Sequence, residues 1–131
     1  MWRLLGTANR DVWVGIRRFD DLQRDLGISR KVLTERLRWL VAHGVLERTA
    51  YTTRPPRYEY VLTRKGLELC DVLMAITTWG DRWTAGEAGP PVLLRHRACG
   101  ELTHAELRCA RCGERLHAAD VDVEAGPGAA T

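Results

Sequence analysis

The feature that most constrains this 131-residue chain is a pair of short helical segments separated by a tight turn at Ile28 and Ser29. The first segment, FDDLQRDLG over residues 19–27, has Asp20 as its candidate N-cap and Gly27 just past its last turn. Ser29 can cap the second helix, which we expect over residues 30–43 because a glycine then ends the periodic pattern. Two short helices joined by so tight a turn predict a helix-turn-helix.

The second helix has distinct apolar and polar faces. Four apolar residues at helical spacing predict its buried face: Leu33, Leu37, Leu40 and Val41. At about 100° per residue, the opposite face carries Lys31, Thr34, Glu35, Arg38 and Ala42. Such a face is usually only solvated, but it also has the donors that recognise base edges when a helix enters a major groove. The segments that follow favour the second interpretation.

Two strand-like segments come next, with a basic loop between them. VLERTAYT from residue 45 and YEYVLT from residue 58 alternate apolar with polar residues. The separating sequence is Arg54-Pro55-Pro56-Arg57, in which two prolines predict a rigid loop with an arginine on each side. This order predicts an α+β fold, a winged helix-turn-helix with recognition helix 29–43 and wing 45–62, whose wing arginines reach adjacent phosphates.

A long third helix and a change of composition define the remaining organisation. Thr63 can cap a helix that reaches about residue 83. Its apolar stripe consists of Leu69, Val72, Leu73, Ile76, Trp79 and Trp83. We predict a DNA-binding and dimerisation domain over residues 1–83, a linker over 84–91, a small module over 92–124 and a disordered tail over 125–131. No internal repeat is evident.

Charge and hydropathy narrow the classes of function. Residues 1–83 hold 15 Lys and Arg against 10 Asp and Glu, a formal charge of +5, whereas residues 84–131 hold 5 against 7, a charge of −2. A basic body fits a polyanion-binding surface. No apolar run approaches the roughly 18 residues that span a bilayer, and no secretory signal is recognisable, so we expect a cytoplasmic protein with no membrane partner and with reduced thiols.

Three of the four cysteines lie in one segment, HRACGELTHAELRCARCG over residues 96–113. His96-x-x-Cys99 and Cys109-x-x-Cys112 have the spacing of two metal-binding knuckles, and each ends in Cys-Gly, where glycine lets the backbone curl round an ion. Four such ligands close a tetrahedral Zn²⁺ site with no position left for water. The sequence therefore predicts a structural zinc ion.

This ion would make residues 92–124 a zinc-ribbon-like module, since so short a segment cannot bury enough apolar surface to fold unaided. Either His104 or His117 could replace His96 as the fourth ligand, although the spacing favours His96. The alternative is a cluster of reduced or redox-responsive thiols without metal. Cys70 lies apart from this cluster, beside the apolar stripe, where we expect a small buried hydrophobic residue.

Residues 10–66 resemble the HxlR family of bacterial winged-helix transcription regulators. The shared motifs are RRFDDLQ, LGIS followed by KVLTERL, HGVLER at the start of the wing, RPPRYEY at its tip, and LTRKG at the start of the next helix. The resemblance implies a homodimeric repressor or activator whose subunits pair through the N-terminal segment and helix 63–83. It also implies the residues that contact DNA: Ser29, Arg30, Lys31, Thr34 and Arg38 in the recognition helix, and Arg54 and Arg57 on wing-side phosphates.

Three classes of function remain to be separated. A regulator is expected to be a dimer that binds an inverted repeat in double-stranded DNA. A winged helix with a zinc ribbon also occurs in transcription adaptors, which contact polymerase rather than an operator, but Arg30, Lys31 and Arg38 on one helix face argue against this class. An enzyme is not expected, because a zinc ion with four protein ligands has no open position and the chain has no recognisable nucleophile–base pair.

Overall fold

The computed structural model describes the chain from Trp2 to Ala129, and its side chains from Ala8 onward. Its helices and strands are α1 (Trp2–Trp13), α2 (Phe19–Leu26), α3 (Arg30–Ala42), β1 (Leu46–Thr53), β2 (Pro56–Leu62), α4 (Arg64–Thr84), β3 (Leu94–Arg95) and β4 (Leu102–Thr103). Two single turns of 3-10 helix follow, Ala118–Asp120 and Pro127–Ala129. The chain divides into two compact units, residues 1–76 and residues 77–131. The predicted disordered tail includes residues 130 and 131, which lie outside the described residues.

The predicted helix-turn-helix is present, and local capping explains its turn. Gly27 ends α2 in the left-handed region, with φ 63°, a conformation that costs glycine nothing. The Ser29 hydroxyl oxygen then accepts a hydrogen bond from the Val32 N–H at 3.2 Å and caps α3 as predicted. At the other end of α3, Gly44 adopts φ 70° and turns the chain into the wing.

The start of α2 differs from the prediction, in which Asp20 was the N-cap. The residue that precedes the helix is Arg18, and no side chain caps it. The physical reason is tertiary, because the preceding backbone is extended against the wing. The Tyr60 N–H donates to the Arg17 carbonyl at 2.8 Å, and Arg18 bridges to Glu59. The helix therefore begins as soon as the chain leaves β2, and Asp20 falls in its first turn.

The wing is an antiparallel hairpin. Its register runs from Leu46 opposite Leu62 to Thr53 opposite Pro56, with an irregularity at Tyr51. We expected both prolines in the loop, but Pro56 is the first residue of β2. Proline is tolerated at the first residue of a strand because its missing N–H removes no interior bond of the ladder. The loop is therefore tighter than predicted.

One hydrophobic cluster joins α1, α2, α3 and the start of the wing. Its buried members are Ala8, Val12, Leu22, Leu33, Leu37, Leu40, Val45 and Leu46. The predicted buried face of α3 is confirmed, with Val41 packed at its edge. Cys70 of α4 is only 1% exposed, as expected of a buried hydrophobic residue, and its sulfur accepts a hydrogen bond from the Asn9 side-chain amide at 3.3 Å.

The entry to α4 packs tightly against the entry to the wing. The Thr63 hydroxyl oxygen accepts a hydrogen bond from the Gly66 N–H at 3.1 Å, so that Thr63 caps the helix as predicted, and the same hydroxyl lies 3.1 Å from the Val45 carbonyl oxygen, to which it donates. A Cβ on Gly66 would overlap that carbonyl oxygen.

Among the described residues, no helix, α4 included, has both the length and the apolar character needed to cross a membrane.

The second unit has short paired segments, and none of its described residues beyond α4 has a buried side chain. Strand β3 pairs with β4 through Leu94 opposite Thr103 and Arg95 opposite Leu102. The Ala105 N–H donates to the Thr78 hydroxyl at 2.9 Å, which ties this region to the last turns of α4. No described residue between 85 and 129 is buried. This unit therefore lacks the apolar core that the first unit has.

Candidate functional sites

Most of the predicted contact residues of α3 face solvent. Ser29, Arg30, Lys31 and Arg38 are exposed, and Thr34 is partly buried. Arg30 is held at the start of the helix, where its guanidinium donates to an Asp20 carboxylate oxygen at 3.2 Å and lies 4.6 Å from the centre of the Phe19 ring. Because an exposed ion pair is weak, this contact positions the arginine while leaving it available to a polyanion.

The wing tip carries the other two predicted contact residues. Arg54 and Arg57 are both exposed, and neither has a carboxylate partner within the part of the chain that the structure describes. Across the turn, the Thr52 hydroxyl donates to the Pro55 carbonyl at 2.7 Å and braces the tip. The tip thus presents two cations on a short, internally bonded loop.

A cleft of about 670 Å³ lies between the helix-turn-helix and the wing. It brings together Arg30 of α3 and Arg57 of β2, two of the predicted contact residues. Its other lining residues are Arg18, Phe19, Asp20, Asp21, Arg24, Arg48, Tyr51, Pro56, Tyr58 and Tyr60. The carboxylates of Asp20 and Asp21 are paired with Arg30 and Arg24, at 3.2 and 3.5 Å. Because the lining has more arginines than aspartates, its net charge is positive, which suits a phosphate-bearing ligand.

Three arginines of this cleft, Arg18, Arg48 and Arg57, have no ion pair among the described residues. Two of them lie over aromatic rings. The Arg18 guanidinium carbon is 4.1 Å from the centre of the Tyr51 ring, and that of Arg48 is 3.9 Å from the centre of the Tyr58 ring. A guanidinium held by its face keeps the N–H donors at its edge free for phosphate oxygens.

Arg18 and Arg48 were not predicted from the sequence as candidate contacts. Both belong to motifs already quoted: Arg18 lies in RRFDDLQ and Arg48 lies in HGVLER. Their convergence depends on strand pairing, which bridges Arg18 to Glu59 and sets Arg48 opposite Tyr60. The available signal was the alternation of side chains along β1, which predicts the face of the strand on which Arg48 lies. It does not predict which residues pack against that face.

The apolar stripe of α4 is largely uncovered. Ile76, Trp79 and Trp83 are 45%, 64% and 70% exposed, and Val72 is exposed as well. Large apolar side chains aligned on one helix face commonly mark an interface with another chain. The N-terminal segment, predicted to share this interface, has side chains up to Thr7 that lie outside the described part of the chain.

In the second unit, the two predicted knuckles share one backbone geometry. In the first, the Gly100 N–H donates to the His96 carbonyl at 2.7 Å, and Gly100 has φ 74°. In the second, the Gly113 N–H donates to the Cys109 carbonyl at 2.9 Å, and Gly113 has φ 77°. This left-handed conformation explains why each knuckle ends in Cys-Gly.

The predicted metal ligands form two pairs. The sulfur of Cys99 lies 3.7 Å from Nδ1 of His96. Cys109 and Cys112 form the second pair, and the backbone N–H of Cys112 is the main cause that lowers the pKa of the Cys109 thiol. All four cysteines are free thiols. Among the described residues, no three His, Cys, Asp or Glu side chains are gathered round one point, so the two pairs are not brought into a single cluster.

The order of elements, with an exposed polar recognition helix beside an arginine-lined wing, defines a winged helix-turn-helix protein. Residues 4–88 match the model of the HxlR-like helix-turn-helix family, and the chain belongs to that family. The resemblance noted in the sequence motifs is therefore confirmed.

Similarity to individual proteins extends beyond the family model, towards the end of the chain. Rv3095 of Mycobacterium tuberculosis strain H37Rv, named as an uncharacterized HTH-type transcriptional regulator, is 42% identical over 127 residues, which are 97% of this chain and 79% of the relative. The solved structure of PA1374 from Pseudomonas aeruginosa has a TM-score of 0.68 and 39% identity, covering 98% of this chain and 86% of that one. The structure of PA1607 has a TM-score of 0.77 and 34% identity, covering 89% and 82%.

Proposed function

We propose that this protein is a sequence-specific, DNA-binding transcription regulator that places α3 in a major groove and the wing beside it. The observation that carries the proposal is the cleft in which Arg18, Arg48 and Arg57, which have no carboxylate partner in the described part of the chain, lie together with Arg30 from the start of α3. A duplex whose groove receives α3 has a phosphate strand along its edge. Such a strand would supply the anions that these arginines lack.

The proposed contacts divide into two kinds. Lys31, Thr34 and Arg38 lie on the outer face of α3, where their donors would meet base edges and select the sequence. Ser29 and Arg30, at the first turn of α3, and the arginines of the wing and cleft would hold phosphates, which position the protein without selecting a sequence. Substituting a base-contacting residue should therefore relax the sequence preference, whereas substituting a phosphate-contacting residue should weaken binding to all sequences about equally.

The proposed regulator is a homodimer that pairs through α4 and the N-terminal segment. The exposed side chains of Val72, Ile76, Trp79 and Trp83 on one face of α4 support this interface, because leaving that much apolar surface in water is unfavourable. A two-fold dimer presents two recognition helices. Its operator would be an inverted repeat with half-sites about one helical turn of DNA apart, or a multiple of that spacing.

Selection of bound genomic fragments tests this proposal. The purified full-length protein is incubated with sheared DNA of its source genome at moderate salt, and the retained fragments are sequenced. Enrichment of a short inverted repeat is the expected result. Absence of any enriched sequence, together with a monomeric protein, would overturn the proposal and favour an adaptor that contacts protein instead of an operator.

A further inference from the structure

The two knuckles of the second unit are a structural repeat, displaced by 13 positions along the chain, from His96 to Cys109. The His96 N–H donates to the Glu101 carbonyl at 3.0 Å, and the Cys109 N–H donates to the Glu114 carbonyl at 2.8 Å. The hydrogen bond that closes each knuckle at its glycine is repeated as well. His96 therefore occupies in the first knuckle the position that Cys109 occupies in the second.

The chain segments that flank the knuckles follow the same displacement. Arg95 faces Leu102 across the first knuckle, and Arg108 faces Arg115 across the second. We expected no internal repeat from the sequence, although at this displacement the two segments share Leu-Arg before each knuckle, Cys-Gly-Glu at its end and a histidine five residues after its last cysteine. The repeat is carried by backbone hydrogen bonds, which do not depend on most side-chain identities.

The side chains of the first knuckle are spaced as ligands of one ion. With Zn–S and Zn–N bonds of about 2.3 and 2.1 Å, a tetrahedral angle places the two ligand atoms about 3.6 Å apart. The sulfur of Cys99 and Nδ1 of His96 are 3.7 Å apart. Neither atom has another hydrogen-bond partner among the described residues.

The second unit also needs a source of stability other than apolar burial. No described residue from 85 to 129 is buried, the cysteines form no disulfide, and side chains such as Leu102, Leu107 and Leu116 are exposed. A module of this size without a core or a disulfide usually depends on a structural metal. The ordered knuckle backbones are what such an ion would hold.

We propose that the repeated knuckles bind one Zn²⁺ through Nδ1 of His96 and the sulfurs of Cys99, Cys109 and Cys112. Each knuckle supplies one pair, and the two pairs close on the ion to make a four-coordinate structural site. Binding of the cation releases the thiol protons to solvent and involves no redox step. The proposal does not depend on DNA binding by the first unit.

The other two histidines are less suited to be the fourth ligand. His104 lies between the knuckles, where its Nε2 is 3.5 Å from Oε1 of Glu106; that oxygen also pairs with Arg115, and the other oxygen of the carboxylate pairs with Arg108. His117 follows the second knuckle and immediately precedes a 3-10 turn. His104 and His117 correspond to each other in the repeat, but both lie five residues after the last cysteine of a knuckle and outside its turn, whereas His96 lies within the first knuckle and corresponds to Cys109.

Metal analysis of the full-length protein tests the site. The protein is purified without chelator or added zinc, and its zinc is measured by inductively coupled plasma mass spectrometry. The expected content is close to one ion per chain. Replacement by Co²⁺ should give the intense visible bands of a tetrahedral site and near-ultraviolet charge transfer from thiolates.

Variants at the three histidines test the ligand set. His96→Ala should lose the ion, whereas His104→Ala and His117→Ala should retain it and serve as matched controls. His96→Cys, which makes the first knuckle equivalent to the second, should retain the ion and shift the Co²⁺ bands to those of four thiolates. If the wild-type protein takes up neither stoichiometric zinc nor tetrahedral cobalt, or if His96→Ala keeps one zinc with the wild-type cobalt spectrum, the proposal is overturned.

Discussion

At the scale of single residues, the same side-chain type serves different purposes in different surroundings. Arg24 and Arg30 are neutralised in part by neighbouring aspartates, whereas Arg18 and Arg48 lie over tyrosine rings with their polar edges free. An aromatic partner orients a guanidinium without satisfying its N–H donors. Arg18 and Arg48 are thus oriented by their ring partners and keep N–H donors that a polyanion could accept.

Substitutions in α3 and in the cleft should separate base recognition from phosphate binding. Arg38→Ala is expected to cost about 1–3 kcal/mol of operator affinity and to relax the sequence preference, because it removes a base contact. Arg48→Ala should weaken all duplexes by a similar factor and lower the salt dependence by about one ion. Titrations of specific and nonspecific duplexes at several salt concentrations measure both effects.

Arg64→Ala is a suitable control, since this arginine lies outside the cleft and is paired with Glu68 at 3.3 Å. It should leave both the affinity and the salt dependence close to wild type. Equal losses of specific and nonspecific affinity in Arg38→Ala would exclude a role for Arg38 in base recognition.

Asp11 should make the stability of the first unit depend on pH. Burial raises the pKa of this 1%-exposed carboxyl group, the neighbouring Asp25 raises it further, and Arg10 opposes both. A carboxyl group with a raised pKa in the folded state binds its proton more readily there than in the unfolded chain. Stability contributed by the group therefore increases as the pH falls from neutral through the folded pKa towards the ordinary value of about 3.9.

The matching experiment compares wild type with Asp11→Asn, which cannot titrate. The free energy of unfolding of the wild type, relative to the variant, is expected to rise as the pH is lowered over that window. Denaturant titrations at a series of pH values measure the difference. A difference that stays constant, or that falls with decreasing pH, contradicts this account.

At the scale of elements, α4 performs two tasks along its length. Its first turn packs against the start of the wing at Gly66, and its later turns expose an apolar stripe. Local capping by Thr63 explains where the helix begins, whereas its packing explains why a glycine follows so soon. Gly66 and Gly80 in this helix allow the effect of packing to be distinguished from the general effect of a glycine in a helix.

Gly66→Ala should destabilise the first unit by about 1–3 kcal/mol, because the new Cβ would overlap the Val45 carbonyl oxygen and force the helix away from the wing. Gly80→Ala is the control, since a Cβ there meets only the Thr84 hydroxyl at 3.7 Å. Alanine at that helical position should stabilise by about 0.5–1 kcal/mol. Thermal or denaturant unfolding of the two variants measures both; a neutral Gly66→Ala would contradict the packing described for this junction.

The stripe of α4 should carry the dimer. Ile76→Glu is expected to shift the protein towards monomer, since a carboxylate in an apolar interface is costly to desolvate. Asp71→Lys, an exposed position on another side of the same helix, should leave the dimer intact. Sedimentation equilibrium over a range of concentrations compares the two. An Ile76→Glu protein as dimeric as the wild type would place the interface elsewhere.

At the scale of the whole molecule, the two units differ in what can hold them together. The first has an apolar cluster built from three helices and the wing, and the second has no buried side chain beyond α4 in its described part. Folding of the first unit is therefore a matter of apolar burial, whereas that of the second depends on the proposed ion. Loss of the ion should therefore destabilise the second unit, and substitutions in the apolar cluster should destabilise the first.

Cys112→Ser should uncouple the two units. Loss of a ligand is expected to release the zinc and to make the segment after α4 sensitive to protease, while the helical circular dichroism of the first unit and its melting temperature stay near wild type. Limited proteolysis with mass spectrometry locates the cuts. Ala110→Ser, in the same knuckle but not a ligand, is the control. Unfolding of the entire chain in Cys112→Ser would show that the units are not independent.

The sequence by itself was sufficient to predict the helix-turn-helix, the wing, the long helix and the two knuckles. Each depends on interactions within a few residues, such as the Ser29 cap, the glycines after helices and knuckles, and the periodicity of apolar residues. Only the tertiary structure brought Arg18 and Arg48 into one cleft with Arg57 and left the α4 stripe uncovered. These features depend on strand pairing and packing between residues far apart in the chain, where a local pattern carries no information about the partner.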